Sequence, residues 1–178
     1  MTRRSPGRAL AALALAAALG ACGYRTGLVP PELGETVAVE FFANDSKVRD
    51  LEVELETHLT DAMNRMVHAP LVAPAAADYV LRGRITTYTR RRGIRSPDNV
   101  VLETGLRIGV QARLIRRRFL AERELAEELV AEGRYGAEAG YRLETFQGEA
   151  EARARALRNI ADQIVMDLFG SLAYESEP

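Results

Sequence analysis

The chain has 178 residues, 24 Lys+Arg against 25 Asp+Glu and a single cysteine. One cysteine excludes a disulfide-stapled scaffold, and the charge balance lacks the basic excess expected of a nucleic-acid binder. The length is that of one domain once any leader is removed.

The chain begins with Arg3, Arg4 and Arg8, followed from Ala9 to Leu19 by Ala and Leu alone, then by Gly20, Ala21 and Cys22. A basic segment, a short apolar core and small residues make a secretory signal. The apolar run is too short to span a bilayer, which needs roughly 20 residues. The ending Leu19-Gly20-Ala21-Cys22 resembles the lipobox of bacterial lipoproteins, which implies cleavage before Cys22 and acylation of its sulfur and amine. Residues 1–21 are therefore set aside as a cleaved signal. Losing the leader arginines leaves the mature chain mildly acidic, and export further argues against nucleic acid as a partner. Each buried methylene contributes about 0.8 kcal/mol, so several acyl chains on one cysteine give a stable anchor. Gly23 stands where an Asp marks inner-membrane retention in enteric bacteria, which resembles sorting to the outer membrane, with the anchor in its inner leaflet.

Residues 22–35 read as a lipidated extended tether, because Gly23, Gly27, Pro30, Pro31 and Gly34 punctuate them. Thr36 to Phe42 is the first strand, with Val37, Val39 and Phe41 alternating against Ala38, Glu40 and Phe42. Asp50 to about Val67 is a helix on Leu51, Leu55, Leu59, Ala62, Met63, Met66 and Val67, with Asp50 placed to cap it. Asp78 to Arg90 is a strand with Tyr79, Leu81, Ile85 and Thr87 on one face and Arg82, Arg84, Tyr88 and Arg90 on the other. A basic turn through Arg91, Arg92 and Arg95 leads to a long strand, Val100 to Ile115. There Leu102, Leu106, Ile108, Val110, Ala112 and Leu114 share one face, and Glu103, Arg107, Gln111 and Arg113 the other. Glu122 to Tyr135 suits either element: Leu125 and Leu129 fit a helix, while Leu125, Leu129, Ala131 and Tyr135 fit one side of a strand. A fourth strand closes an otherwise open edge, so strand is chosen. Gly136 to Gln147 reads as a loop. Glu149 to about Leu172 is the strongest helix, on Leu157, Ile160, Ala161, Ile164, Leu168, Phe169 and Leu172. A polar tail, 173–178, follows. The expected fold over residues 36–172 is a single α+β domain, a two-layer sandwich with two helices packed on one face of a four-stranded, mostly antiparallel sheet.

No enzyme chemistry emerges. His58 lies four residues after Glu54 on one helix face, and His68 sits near that helix's C-terminal end, where the dipole favours it. Neither pairing makes a metal site, which wants three or four ligands, and no Walker loop, dinucleotide turn or nucleophile elbow occurs. No cofactor is expected beyond the acyl groups on Cys22. Gly105 and Gly109 mark closely approached backbone within a strand. What remains is basic: Arg90, Arg91, Arg92 and Arg95 at the hairpin tip, and Arg82, Arg84, Arg107 and Arg113 on the outward sheet face. Guanidinium forks match phosphate and carboxylate, and like charges this close repel unless they meet an anion or water.

In order and element type the mature chain resembles the LptE family of lipopolysaccharide-assembly lipoproteins. The carrying features are Ala21-Cys22-Gly23-Tyr24 and the Pro30-Pro31 tether before a short strand. The Leu51, Leu55, Leu59 helix, the long hairpin, and a last helix with Arg155-Ala156-Leu157, Ile164 and Leu168 complete the pattern. The resemblance implies a two-helix, four-stranded sandwich, favours strand over Glu122 to Tyr135, and implies no enzymatic activity. It implies a plug and assembly partner inside an LptD-type outer-membrane β-barrel. It also implies lipopolysaccharide binding, with Arg90, Arg91, Arg92 and Arg95 at the corresponding hairpin. The alternative is an outer-membrane lipoprotein scaffold for a soluble periplasmic partner, a cell-wall synthase activator or a secretion accessory.

Overall fold

The computed structural model describes residues 35–95, 97–98, 101–119, 125–142 and 148–175. The signal, Cys22 and all of the tether before Glu35 lie outside these residues, as does the end of the tail after Glu175. The elements are β1 (Val37–Val39), β2 (Ala43–Asn44), α1 (Leu51–Met66), a 3-10 turn (Pro74–Ala76), β3 (Tyr79–Arg95), β4 (Val101–Phe119), β5 (Leu125–Arg142) and α2 (Glu149–Glu175). One sheet runs β1-β3-β4-β5, with β2 also on β3. The α+β class and the two helices are as expected. The sheet differs: it has five strands, it is curled into a half-barrel, and it is mixed, because β1 and β2 lie parallel to β3 while β3, β4 and β5 are antiparallel. The parallel pairing follows from the connection, since α1 carries the chain back before β3 begins.

The expected first strand splits in two. Val39 pairs with Leu81 but Ala43 with Arg84, so the β1/β2 side holds one extra residue. Glu40 and Phe41 absorb it. Phe42, not Phe41, turns inward: Phe42 is fully buried and Phe41 is 56% exposed. The Phe42 ring lies across Gly83, where a Cβ would collide with it. A glycine inside a strand marks such a close approach.

The helices form for the reason their spacing gives. Leu51, Leu55, Leu59, Ala62 and Met63 of α1 are buried, and so are Leu157, Ile160, Ala161, Ile164, Leu168, Phe169 and Leu172 of α2. Each fully buried Leu, Ile or Phe contributes about 1.5–3 kcal/mol. These stripes share one core with Leu81, Ile85, Leu106, Ile108, Val110, Ala112 and Leu114 from the sheet. The helices run side by side in the same sense, tied by Arg153 to Glu54 and by Arg65 to Asp162 at 2.7 Å. The expected Asp50 cap is absent. Asp50 adopts a left-handed conformation (φ 61°) without a side-chain cap bond. The turn before it is held instead by Asn44, whose side chain donates to the Val48 carbonyl at 2.8 Å and accepts from the Ser46 amide at 2.9 Å.

The strand reading of Glu122 to Tyr135 holds from Leu125 onward, but Gly136 to Arg142, expected as loop, continues β5. Gly136 pairs with Gly109 and Gly140 with Gly105, so these glycines meet glycines across the ladder rather than making turns. The one-sided reading of Leu125, Leu129, Ala131 and Tyr135 fails. Val130 is inserted between Leu129, opposite Ile115, and Ala131, opposite Leu114. Ala131 and Tyr135 pack on the core, while Leu129 stays 54% exposed.

Candidate functional site: the outward sheet face and the hairpin arginines

A bulge decides where the hairpin arginines go. β3 spends one residue, Thr86, between partners Val110 and Gly109, which are consecutive on β4. Side chains alternate along a strand, so one inserted residue sends every later one to the opposite face. Tyr79, Leu81 and Ile85 face the helices before the bulge. Tyr88 and Arg90 face them after it, and Thr87 turns out, which reverses the sequence expectation for those three residues.

Arg90 therefore points away from the outward face. Its Nε donates to both carboxylate oxygens of Glu149 at 2.9 and 3.0 Å. The same carboxylate accepts from the Tyr88 hydroxyl at 2.6 Å and the Tyr141 hydroxyl at 3.1 Å. Glu149 opens α2, where a negative charge also suits the helix dipole. Burial pushes the Glu149 carboxyl up, but the donors Tyr88, Arg90 and Tyr141 together outweigh it, and the group sits below the ordinary carboxylate range. Burial, then the bond to Glu149, push the Tyr88 phenol up. This cluster ties the far halves of β3 and β5 to the first turn of α2. No local sequence signal marks it, since Tyr88 and Arg90 stand about 60 residues before Glu149.

Arg91 lies on the other face and donates to Glu138 of β5 at 2.7 Å, a carboxylate that Arg107 also approaches at 3.7 Å. Arg92 and Arg95 have their backbone in β3, and their side chains are outside the described residues. The expected cluster is thus divided: Arg90 and Arg91 occupy opposite faces.

The outward face carries charge along the strands. Arg113 pairs with Glu132 at 3.0 Å, Arg84 with Asp45 at 3.5 Å and Arg117 with Glu127 at 3.0 Å, while Arg82 lies between Glu40 and Glu127. Arg117 is largely covered and also donates to the Pro74 carbonyl; the exposed pairs among these contribute about 0.2–1 kcal/mol each, so their partners exchange readily. Among the described residues Arg134 has no carboxylate within ion-pair distance. Between the charged rows Gly109 and Gly136 floor an open depression of about 660 Å³ rimmed by Thr86, Thr87, Thr89, Arg107, Gln111 and Arg134. The close-approach expectation holds at both β4 glycines: a Cβ on Gly109 would stand 2.6 Å from the Thr87 hydroxyl, and one on Gly105 3.0 Å from the Ala139 carbonyl.

His58 does not join Glu54, which is occupied by Arg153. Burial, then the Arg158 charge, lower the His58 pKa. Among the described residues no group of three or more His, Cys, Asp or Glu could hold a metal ion.

The family model described as LptE, lipopolysaccharide-assembly, matches residues 34–168. The chain belongs to the LptE family. That family is defined by a part in lipopolysaccharide assembly and not by a reaction. No curated protein matches the chain by sequence. Among solved structures, a hypothetical protein, CT253, from Chlamydia trachomatis superposes with TM-score 0.52 at 10% identity, covering 78% of this chain and 98% of that one. An uncharacterized lipoprotein B from Nitrosomonas europaea gives 0.46 at 18% identity, covering 86% and 96%. Lipoprotein GNA1162 from Neisseria meningitidis gives 0.45 at 12%, covering 74% and 98%. At these identities the first shows a shared fold and nothing of function.

Proposed function

We propose that this LptE-family chain is an outer-membrane lipoprotein, anchored through acylated Cys22, that acts as plug and assembly partner of an LptD-type barrel and contacts lipopolysaccharide. The observation that carries the reading beyond family membership is the outward sheet face. Apart from Leu129, its exposed side chains over three long strands are arginines, glutamates and threonines. A barrel lumen is polar, so a plug presents polar groups to it, whereas docking on an apolar surface would call for an apolar patch.

Of the four tip arginines, Arg90 is held on the helix side by Glu149, so the lipid phosphates fall to Arg91, Arg92 and Arg95. Replacing these three with Ser is expected to weaken glycolipid binding at least tenfold without lowering the melting temperature. Arg90→Ser is expected to do the reverse. Equal loss of folding in the triple variant would make those arginines structural. The partner is tested by affinity capture of the tagged chain from detergent-solubilised outer membrane. A stoichiometric large β-barrel supports the plug, and a soluble periplasmic protein in its place overturns it in favour of the scaffold reading.

A further inference from the structure

β5 gives one side of its backbone to β4, and among the described residues no strand pairs with the other. Alternation fixes which residues face that open side. The Leu81 carbonyl accepts from the Glu40 amide and the Ile85 carbonyl from the Asp45 amide, so odd residues in this part of β3 address β1 and β2, and even ones address β4. Carried through the registers Arg84↔Gln111 and Val110↔Tyr135, odd residues of β5 address β4. Glu132, Arg134, Gly136, Glu138 and Gly140 then turn their backbone N–H and C=O to the open edge, and all five are exposed. The Gly140 carbonyl accepts from Arg155 at 3.0 Å, as an edge carbonyl can.

We propose that this edge is a self-pairing surface: β5 of one chain joins β5 of a second copy, antiparallel, about a two-fold axis through Gly136. Charge and an unbroken ladder together select the register. With Gly136 on the axis, Arg134 stands opposite Glu138 twice and Glu132 opposite Gly140 twice, and residues directly opposite share a face. An axis through Arg134 sets that residue against itself, one through Tyr135 sets Glu132 against Glu138, and one through Glu138 sets Glu138 against itself. An axis through Ala137 leaves Arg134 opposite Gly140. An axis through Gly133 sets Arg134 opposite Glu132 but meets the Val130 insertion three residues from the axis, so the Gly136 register is the one that supplies Arg134 with a carboxylate across an uninterrupted ladder, 131–141. The neighbours Arg82, Arg84, Arg91, Arg107, Arg113 and Arg117 already have a carboxylate within their own chain.

Edge strands that avoid association carry charges that repel their own copies. Here the alternating signs four residues apart attract a copy. Gly136 meets Gly136 without side chains between, and the ladder closes through paired amides and carbonyls. Pairing also covers an 18-residue edge that otherwise templates aggregation. The buried area is small beside the roughly 1,600 Å² of a standard interface, so the dimer is weak and concentration-dependent. The inference is independent of the barrel reading: failed capture of a barrel leaves it standing, and a monomer here leaves the plug standing.

The test uses the full chain with Cys22→Ser, so that an added thiol is the only one. Sedimentation equilibrium is expected to show a monomer–dimer exchange. Arg134→Glu, which sets Glu against Glu138, should raise the dissociation constant at least tenfold at unchanged melting temperature. Gly136→Cys should form a disulfide-linked dimer on mild oxidation, because opposed Cα atoms in a hydrogen-bonded pair lie about 5.5 Å apart, within disulfide reach. Gly140→Cys, displaced from the axis, should not. A chain that stays monomeric at millimolar concentration overturns the proposal. So does a dimer indifferent to Arg134→Glu that Gly136→Cys fails to cross-link, since the contact then lies elsewhere.

Discussion

The β1/β2 edge is built from strands of three and two residues, and its outer side is occupied. The Val37 amide donates to the Pro70 carbonyl and the Val72 amide to the Val37 carbonyl, each at 3.0 Å, so the loop after α1 lies along β1. Thr36 is held by Asp78 through its amide and hydroxyl, both at 2.8 Å. The β5 edge is the opposite: 18 residues that, among the described residues, have a partner strand on one side only. The short edge is fixed by side chains that reach the core, since Val37 and Phe42 are fully buried. The long edge is fixed by its ladder to β4, by Ala137 and Tyr141 buried in the core, and by charges on its outward face. One edge is thus closed off by the loop laid along it, while the other, equally packed on the core, keeps one side of its backbone without a strand among the described residues.

Adjacent phenylalanines give the sharpest way to break this contrast. Phe42→Ala removes a fully buried ring from over Gly83 and should cost about 3–5 kcal/mol in urea unfolding. Phe41→Ala, on an exposed ring, should stay within about 0.5 kcal/mol. If Phe41→Ala were the costlier change, the inserted residue at Glu40 and Phe41 would be misplaced and the short edge would not be anchored by packing.

The second prediction concerns what fixes the far half of β5. Glu149→Gln removes the charge that Tyr88, Arg90 and Tyr141 share. From the weakened hydrogen bonds it should cost about 1–2 kcal/mol at neutral pH. The folded Glu149 carboxyl titrates below its unfolded value. Its contribution is therefore fully present above the unfolded pKa and is lost as pH falls through the folded one. Urea denaturation of both proteins across the acid range should show the difference between wild type and Glu149→Gln closing below about pH 4. A constant difference down to pH 2 would mean that the carboxylate charge contributes nothing there.

What the chain reveals in advance divides along the same line. The stripes Leu51-Leu55-Leu59 and Leu157-Ile160-Ile164-Leu168 are legible because helical spacing survives small irregularities. The β4 alternation is legible from Glu103 to Ile115 because that stretch of β4 carries no insertion. Parity elsewhere is illegible, because Thr86, Val130 and the Glu40-Phe41 insertion are single residues of types that suit a strand, and one residue reverses every face beyond it. The same insertion at Thr86 turned Arg90 to the helix side and Arg91 outward, and hid the Glu149 cluster. The glycines of β5 read as loop because the ladder that accepts them is remote in sequence.

Leu129→Thr is the smallest expected change and the one that tests the Val130 insertion. With the insertion, Leu129 stands on the outward side opposite Ile115 and is 54% exposed, so a shorter polar side chain should alter stability by no more than about 0.5 kcal/mol. Without it, Leu129 would share the helix-facing side with Ala131 and Tyr135. Burying a threonine hydroxyl there in place of a leucine would cost about 2 kcal/mol or more. A near-neutral result in denaturant titration keeps β5 divided into a core-facing half and a half whose apolar side chain lies in the open. A large loss would return Leu129 to the core and extend the core-packed part of β5 past Val130.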